Sequence, residues 1–146
     1  MSRWLGIDPG EKRIGIARSD ALGLVAQPLE ILDSVEALIH LLRESRDDLA
    51  GGIVGLPRNM DGSYGPLARR SAELVRRLRG EVDLPLYLWD ERLTTRQADR
   101  ISRSVGADRR HGGRRRRLDD LAAAVLLQSF LDAGTPAVED PPGLGD

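Results

Sequence analysis

Two short apolar stretches joined by Asp-Pro-Gly-Glu-Lys constrain this chain more than any other feature. Trp4 to Ile7 and Ile14 to Ala17 alternate apolar residues with glycine, so Leu5/Ile7 and Ile14/Ile16 fall on one face and Gly6 and Gly15 on the other. The intervening turn folds the two stretches into a β-hairpin. Glycine in a strand strips that face of side chains, so another element or a substrate can approach the backbone closely. Asp8 ends the first strand on the same face as Trp4 and Gly6. An unpaired buried carboxylate is costly. Asp8 is therefore either a turn residue before Pro-Gly or the neighbour of something cationic.

The remaining pattern places this hairpin in a larger sheet. Leu24 to Leu32 read as a third strand, interrupted or ended near Pro28. Asp33 with Glu36 resembles a capping box, opening a helix to about Arg46 with Val35, Leu38, Ile39 and Leu42 on one face. GIVGL, residues 52–56, is an all-apolar strand of the kind a covered sheet buries. Pro66 and Gly80 frame the next helix, with Leu67, Leu74, Val75 and Leu78 as its apolar stripe. Leu86 to Trp89 form the last strand, ending in Asp90-Glu91. Thr94 and Gln97 cap a helix to about Ser104, Gly106 to Arg117 read as a Gly/Arg loop, and Leu118 to Leu131 as a largely buried helix. Three meandering strands followed by αβαβαα fit an α/β sheet that mixes antiparallel and parallel pairing. At 146 residues this is one domain with its own core, expected over 1–133. The Pro/Gly/acid stretch over 134–146 is expected to be a disordered tail.

Composition excludes several chemistries. There is no cysteine, hence no disulfide, thiolate nucleophile or Cys-based zinc site, and a reducing, cytoplasmic setting is expected. Asp8, Glu11, Lys12 and Arg13 break any early apolar run, and the longest such run, Leu121 to Leu127, is too short for a bilayer. No membrane partner is expected. The net charge of −1 hides a strong asymmetry, because ten arginines against two acids lie between Arg92 and Arg117. A clustered basic stretch of this kind suits a phosphate-facing surface.

Nucleophile and nucleotide motifs are missing. No serine sits in a G-x-S-x-G elbow, His40 and His111 have no second histidine at metal spacing, and neither a P-loop nor G-x-G-x-x-G occurs. Carboxylates remain: Asp8 at the end of the first strand, Glu91 after the last, and Asp119 directly behind four arginines. Residues at strand ends in an open α/β sheet converge on a ligand crevice. Three acids in one such crevice would suit a hard divalent ion, Mg²⁺ or Mn²⁺, and two such ions can drive phosphodiester cleavage. Singly, each acid has a plainer reading. Asp8 can start a turn, Asp119 or Asp120 can cap a helix, and Glu91 can pair with Arg92 or Arg96.

LGIDPGEKRIGIARSD, VGLPRNMDGSYGP, DERLTT and LDDLAAAVLLQSFL, in this order from Leu5 to Leu131, resemble the four sequence blocks of the YqgF/RuvX family of RuvC-like nucleases. The resemblance implies an RNase H-like fold, a five-stranded mixed sheet flanked by helices. It also implies a divalent-metal nuclease, with Mg²⁺ or Mn²⁺ held by one acid from each of three blocks: Asp8, Glu91 and Asp119, with Asp120 a neighbour. Related resolvases often carry a fourth acid three residues after the third, where this chain has Ala122. Members are associated with 5′ processing of pre-16S rRNA and with cleavage of Holliday junctions, so structured RNA or branched DNA is the expected partner. Arg109, Arg110, Arg114, Arg115, Arg116 and Arg117 are the candidates for gripping its phosphates. In the second block Asn59, Asp61 and Ser63 could hold the loop's shape, the reading preferred for Asp61, while Asn59 and Ser63 are also candidates for binding nucleic acid beside a helix start whose amides could hold a phosphate. Symmetric cutting of a four-way junction would favour a two-fold dimer. Two other readings remain: an inert nucleic-acid-binding module of the same fold, and a fragment of an actin-like ATPase or sugar kinase.

Overall fold

The computed structural model describes residues 2–91 and 114–144, with the backbone alone over 114–120. Five strands, β1 (Arg3–Pro9), β2 (Ile14–Ser19), β3 (Ala26–Leu32), β4 (Leu49–Leu56) and β5 (Leu86–Asp90), form one sheet in the order β3-β2-β1-β4-β5. β1–β2 and β2–β3 pair antiparallel, while β1–β4 and β4–β5 pair parallel. This is the mixed sheet that the element order implies. The described α-helices are α1 (Val35–Ser45), α2 (Pro66–Glu81) and α3 (Arg114–Asp132). The helix expected from Thr94 to Ser104 lies outside the described residues, as do Arg109 and Arg110.

Each strand divides its side chains between two cores. Leu5, Ile7, Ile14, Ile16, Val54, Leu56, Leu86 and Leu88 pack with Leu38 and Leu42 of α1 and Val75 and Leu78 of α2. On the opposite face Ala17, Ile53 and Trp89 meet Ala123, Leu126, Leu127 and Phe130 of α3. Phe130 is wholly buried and lies edge-on to Trp4 at 4.8 Å and to Trp89 at 5.3 Å. The Trp89 indole donates to Ser129 Oγ at 3.1 Å, which satisfies the ring's polar end inside the core. Truncating a phenylalanine in such a cluster costs about 3–5 kcal/mol.

Gly6 lets α3 come this close. A Cβ there would lie 2.7 Å from Leu127 Cβ and 2.9 Å from the Ala123 carbonyl oxygen. The side-chain-free face of the hairpin is thus the seat of α3.

Several local expectations are corrected. α1 is capped by Ser34, whose Oγ accepts from the Ala37 amide at 3.1 Å, and not by Asp33 one residue earlier. β3 begins at Ala26, because Leu24 and Val25 belong to a turn in which both amides donate to Asp20 Oδ1. Those bonds hold the Asp20 carboxyl below its ordinary range. Pro28 does not end β3, since this is an edge strand and a register shift between Ile16 and Ala17 absorbs the irregularity. Gly80 lies inside α2, which runs to Glu81. Leu67 is more than half exposed; the buried stripe is Ala68, Ser71, Ala72, Val75 and Leu78. Arg114 to Arg117 belong to α3 and not to a loop, so the helix reaches at least four residues ahead of Leu118. Residues 135–144 have no helix or strand. Asp140 pairs with Arg79 at 2.7 Å, Val138 packs on the α3-side core, and Leu144 is buried in the other. The Arg79 guanidinium holds the Asp140 carboxyl below its usual range.

Candidate active site

β1, β4 and β5 run parallel and adjacent, so their C-terminal ends form one edge of the sheet. Asp8 stands on β1 opposite Gly15 of β2, on the α3 face with Trp4 and Gly6. Glu91 follows β5 directly. Between them β4 offers only Gly55, and a Cβ at Gly55 would collide with Glu91 Oε1 and sit 3.1 Å from Leu126 Cδ2. The Glu91 carboxylate thus leans into space that only a glycine leaves open.

The electrostatics are unfavourable to an ionised Glu91. Burial, first, and then the charges of Asp8 and Asp90 push the Glu91 carboxyl up to about 7. Like charges gathered in a half-buried place favour a cation beside them. Oxygen donors alone suit Mg²⁺ or Mn²⁺. Among the described residues no three His, Cys, Asp or Glu side chains gather into one group. Asp8 and Glu91 are two of the three expected acids, and the side chain of Asp119 is not among those described.

The backbone of α3 does fix the position of Asp119. Phe130 packs on Trp4 and Ala123 on Gly6, so successive turns of α3 follow β1 from Trp4 towards Asp8. Asp119 is one further turn along, four residues before Ala123. Asp120 is one residue out of that repeat.

The β4–α2 loop adjoins this edge and is held from within. The Asn59 side-chain amide donates to Ser63 Oγ at 2.9 Å. Asp61 Oδ1 accepts from the Ser63 amide and hydroxyl at 2.9 and 2.5 Å. The two Ser63 bonds keep the Asp61 carboxyl below its ordinary range. Asp61 therefore shapes the loop, as the sequence suggests, and Asn59 and Ser63 share that work. Arg58 donates Nε and NH2 to the Gly62 carbonyl, at 3.0 and 2.5 Å, and its NH1 lies 3.6 Å from Asp90 Oδ2. Sequence reasoning singled out neither Arg58 nor its contact with Asp90. The signal for Asp90 was strand parity, which sends it to the face opposite Glu91. Arg58 had none, because its contacts depend on the loop's path.

The five-stranded sheet and its edge of carboxylates define an α/β protein of RNase H-like fold. Among solved structures it is similar to Thermus thermophilus RuvC in complex with a Holliday junction substrate, with a TM-score of 0.62 at 15% identity, covering 94% of this chain and 99% of that one. It is similar also to a second Thermus thermophilus RuvC structure, at a TM-score of 0.58. At that identity the likeness speaks for the fold alone. The family profile described as "RuvX: Holliday junction resolvase" matches residues 2–133, and the chain belongs to that family. A Pelotomaculum thermopropionicum protein named "Putative pre-16S rRNA nuclease" is 41% identical over 145 residues, covering 94% of this chain and 92% of its own. A Symbiobacterium thermophilum protein of the same name is 45% identical over 132 residues, covering 88% and 90%.

Proposed function

We propose that this protein is a nuclease that cuts phosphodiester bonds in structured nucleic acid, with Asp8, Glu91 and Asp119 holding Mg²⁺ or Mn²⁺ in the two-ion manner. The observation that carries the reading is the pairing of Asp8 and Glu91 across Gly55, at strand ends beside α3. A divalent ion held there supplies positive charge to the phosphoryl oxygens and to an attacking water. In this reading Asp8 and Glu91 would offer oxygens from the sheet and Asp119 one from α3. Substrates of two kinds fit the relatives' names and the family description: precursor 16S rRNA, cut at its 5′ side, and branched DNA such as a Holliday junction. We assign the catalytic unit to residues 1–133 and its setting to the cytoplasm. Among the described residues no helix is long and apolar enough to cross a membrane.

The deciding experiment is product mapping on a precursor rRNA fragment and a four-way DNA junction side by side. Cleavage is expected with Mg²⁺ or Mn²⁺, with none in excess EDTA and binding without cutting in Ca²⁺. Calcium is larger and tolerates irregular coordination, so it can hold substrate without fixing the attack geometry. Undiminished cleavage in EDTA would refute the metal role, and tight binding without cutting in any metal would make the protein an inert binding module. Cutting of the junction at two symmetric points would call for a dimer.

Arg109, Arg110 and Arg114 to Arg117 are the proposed phosphate grip, with Asn59 and Ser63 shaping the loop beside it. Arg114 to Arg117 lie consecutively in α3, directly before Leu118 and Asp119. Four clustered like charges repel one another, and a polyanion would offset that cost. Replacing Arg114 to Arg117 with alanine should weaken binding to all nucleic acids alike. The log–log salt slope for duplexes should fall by about three to four units, as read by fluorescence anisotropy across a salt series. An unchanged slope would move the grip elsewhere.

A further inference from the structure

Asp90 and Glu91 are adjacent carboxylates at the end of β5, an edge strand of the described sheet. Only one of them can serve the cation site. Parity sends Asp90 to the α1–α2 face and Glu91 to the α3 face, but the end of an edge strand is backed by a neighbour on one side alone. Arg58 supplies a restraint there. Its guanidinium is fixed by two bonds to the Gly62 carbonyl, and it lies 4.6 Å over the Tyr64 ring. Gly62 itself turns at φ +86°, a conformation that side chains other than glycine rarely adopt. That leaves NH1 facing Asp90 at 3.6 Å, in a pair whose side chains are only 26% and 21% exposed. At this burial the pair is weakly screened.

We propose that Arg58 is a positioning residue, which holds Asp90 on the α1–α2 face so that Glu91 alone of the two carboxylates is presented to the cation. The inference rests on the metal-dependent reading above. Without the guanidinium, Asp90 would compete for the cation or draw the strand end round, and the Asp8–Glu91 pairing would loosen. Lysine replaces the charge but not the fork, so it cannot hold Gly62 and Asp90 together in the same way.

The test compares Arg58→Met, Arg58→Lys, Asp90→Asn and the double variant Arg58→Met/Asp90→Asn. Mn²⁺ affinity is measured on the protein alone, by the loss of the free-ion paramagnetic resonance signal. Arg58→Met should weaken Mn²⁺ binding about tenfold, the lower end for residues that orient metal ligands. It should lower kcat by a similar factor, with nucleic-acid affinity in EDTA unchanged. Arg58→Lys should recover part of the loss. Asp90→Asn should be nearly normal, and the double variant should return close to it, since removing Asp90's charge removes the need for Arg58. A double variant as impaired as Arg58→Met overturns the proposal. So does a loss confined to nucleic-acid affinity with a reduced salt slope, which would make Arg58 a phosphate contact. Should Arg58→Met fail to fold, Arg58→Lys with and without Asp90→Asn gives the same cycle. A wild type that cuts and binds Mn²⁺ while Arg58→Met does both normally sinks this inference alone. A wild type that binds no divalent ion sinks both readings.

Discussion

Glu91→Gln protein should cut nucleic acid slower than wild type by about three orders of magnitude or more, yet melt at a higher temperature above pH 7 when metal-free. The first effect follows from removing one charge of a unit that holds the ion; Asp8→Asn and Asp119→Asn should match it, with losses that do not add. Asp120→Asn, one residue off the helical repeat, should do much less. The second effect follows from the raised Glu91 carboxyl. Its folded value, about 7, lies above the ordinary 4.5, so the folded protein holds this proton more tightly than the unfolded chain does. The stability it contributes is therefore complete below about pH 4.5 and lost as pH rises through about 7. Glutamine carries no charge to bury, so the two melting curves should separate across that window. Added Mg²⁺ should raise the wild-type melting temperature at pH 8 and leave the variant unmoved. A variant that is less stable than wild type at pH 8 without metal would contradict the described geometry.

The glycines divide the same machinery into separable parts. Gly55→Ala should fold, because the new methyl meets the movable Glu91 side chain and Leu126, but it should lose most of its metal affinity and cleavage. Gly6→Ala should instead be destabilised by about 1–3 kcal/mol, since its methyl meets the backbone of α3 at Ala123 and forces the helix outward. That displacement also carries Asp119 away from Asp8, so activity should fall with stability. Gly80→Ala is the control. It lies within α2 with nothing inside 4 Å of its would-be Cβ, and alanine there should add about 0.5–1 kcal/mol. Thermal melts with metal titrations separate the three. A Gly55→Ala protein with wild-type metal affinity would show that Glu91 does not need its seat.

How much of this could be read from residues alone varies with the range of the interaction. The hairpin, the mixed sheet and the glycine face are legible because strand periodicity is local, and the gap at Gly6 is the one that α3 fills. Asp8 and Glu91 were legible as strand-end acids, and their approach followed from the parallel order of β1, β4 and β5. Helix ends were not. Asp33 and Ser34 are both good caps, and only the backbone angle decides between them. Gly80 looked like a terminator because glycine often is one, yet nothing crowds it and the helix continues to Glu81. Hydrophobicity alone puts Leu67 in the stripe of α2, but helical register favours the small Ala68, Ser71 and Ala72 against the sheet. The contacts of Arg58 with Gly62, Tyr64 and Asp90, and those of Asp140 and Leu144, depend on loop paths that no periodicity encodes.

The central claim is that Asp8, Glu91 and Asp119 surround one cation site, and metal-directed backbone cleavage tests it most directly. Fe²⁺ bound in place of Mg²⁺, with ascorbate and peroxide, releases hydroxyl radicals that cut the chain next to the ion. Cuts are expected beside residues 8, 91 and 119 together, suppressed by excess Mg²⁺ and absent in Glu91→Gln protein. Cuts beside 8 and 91 with the chain around 119 intact, or cuts that Mg²⁺ does not suppress, would contradict it.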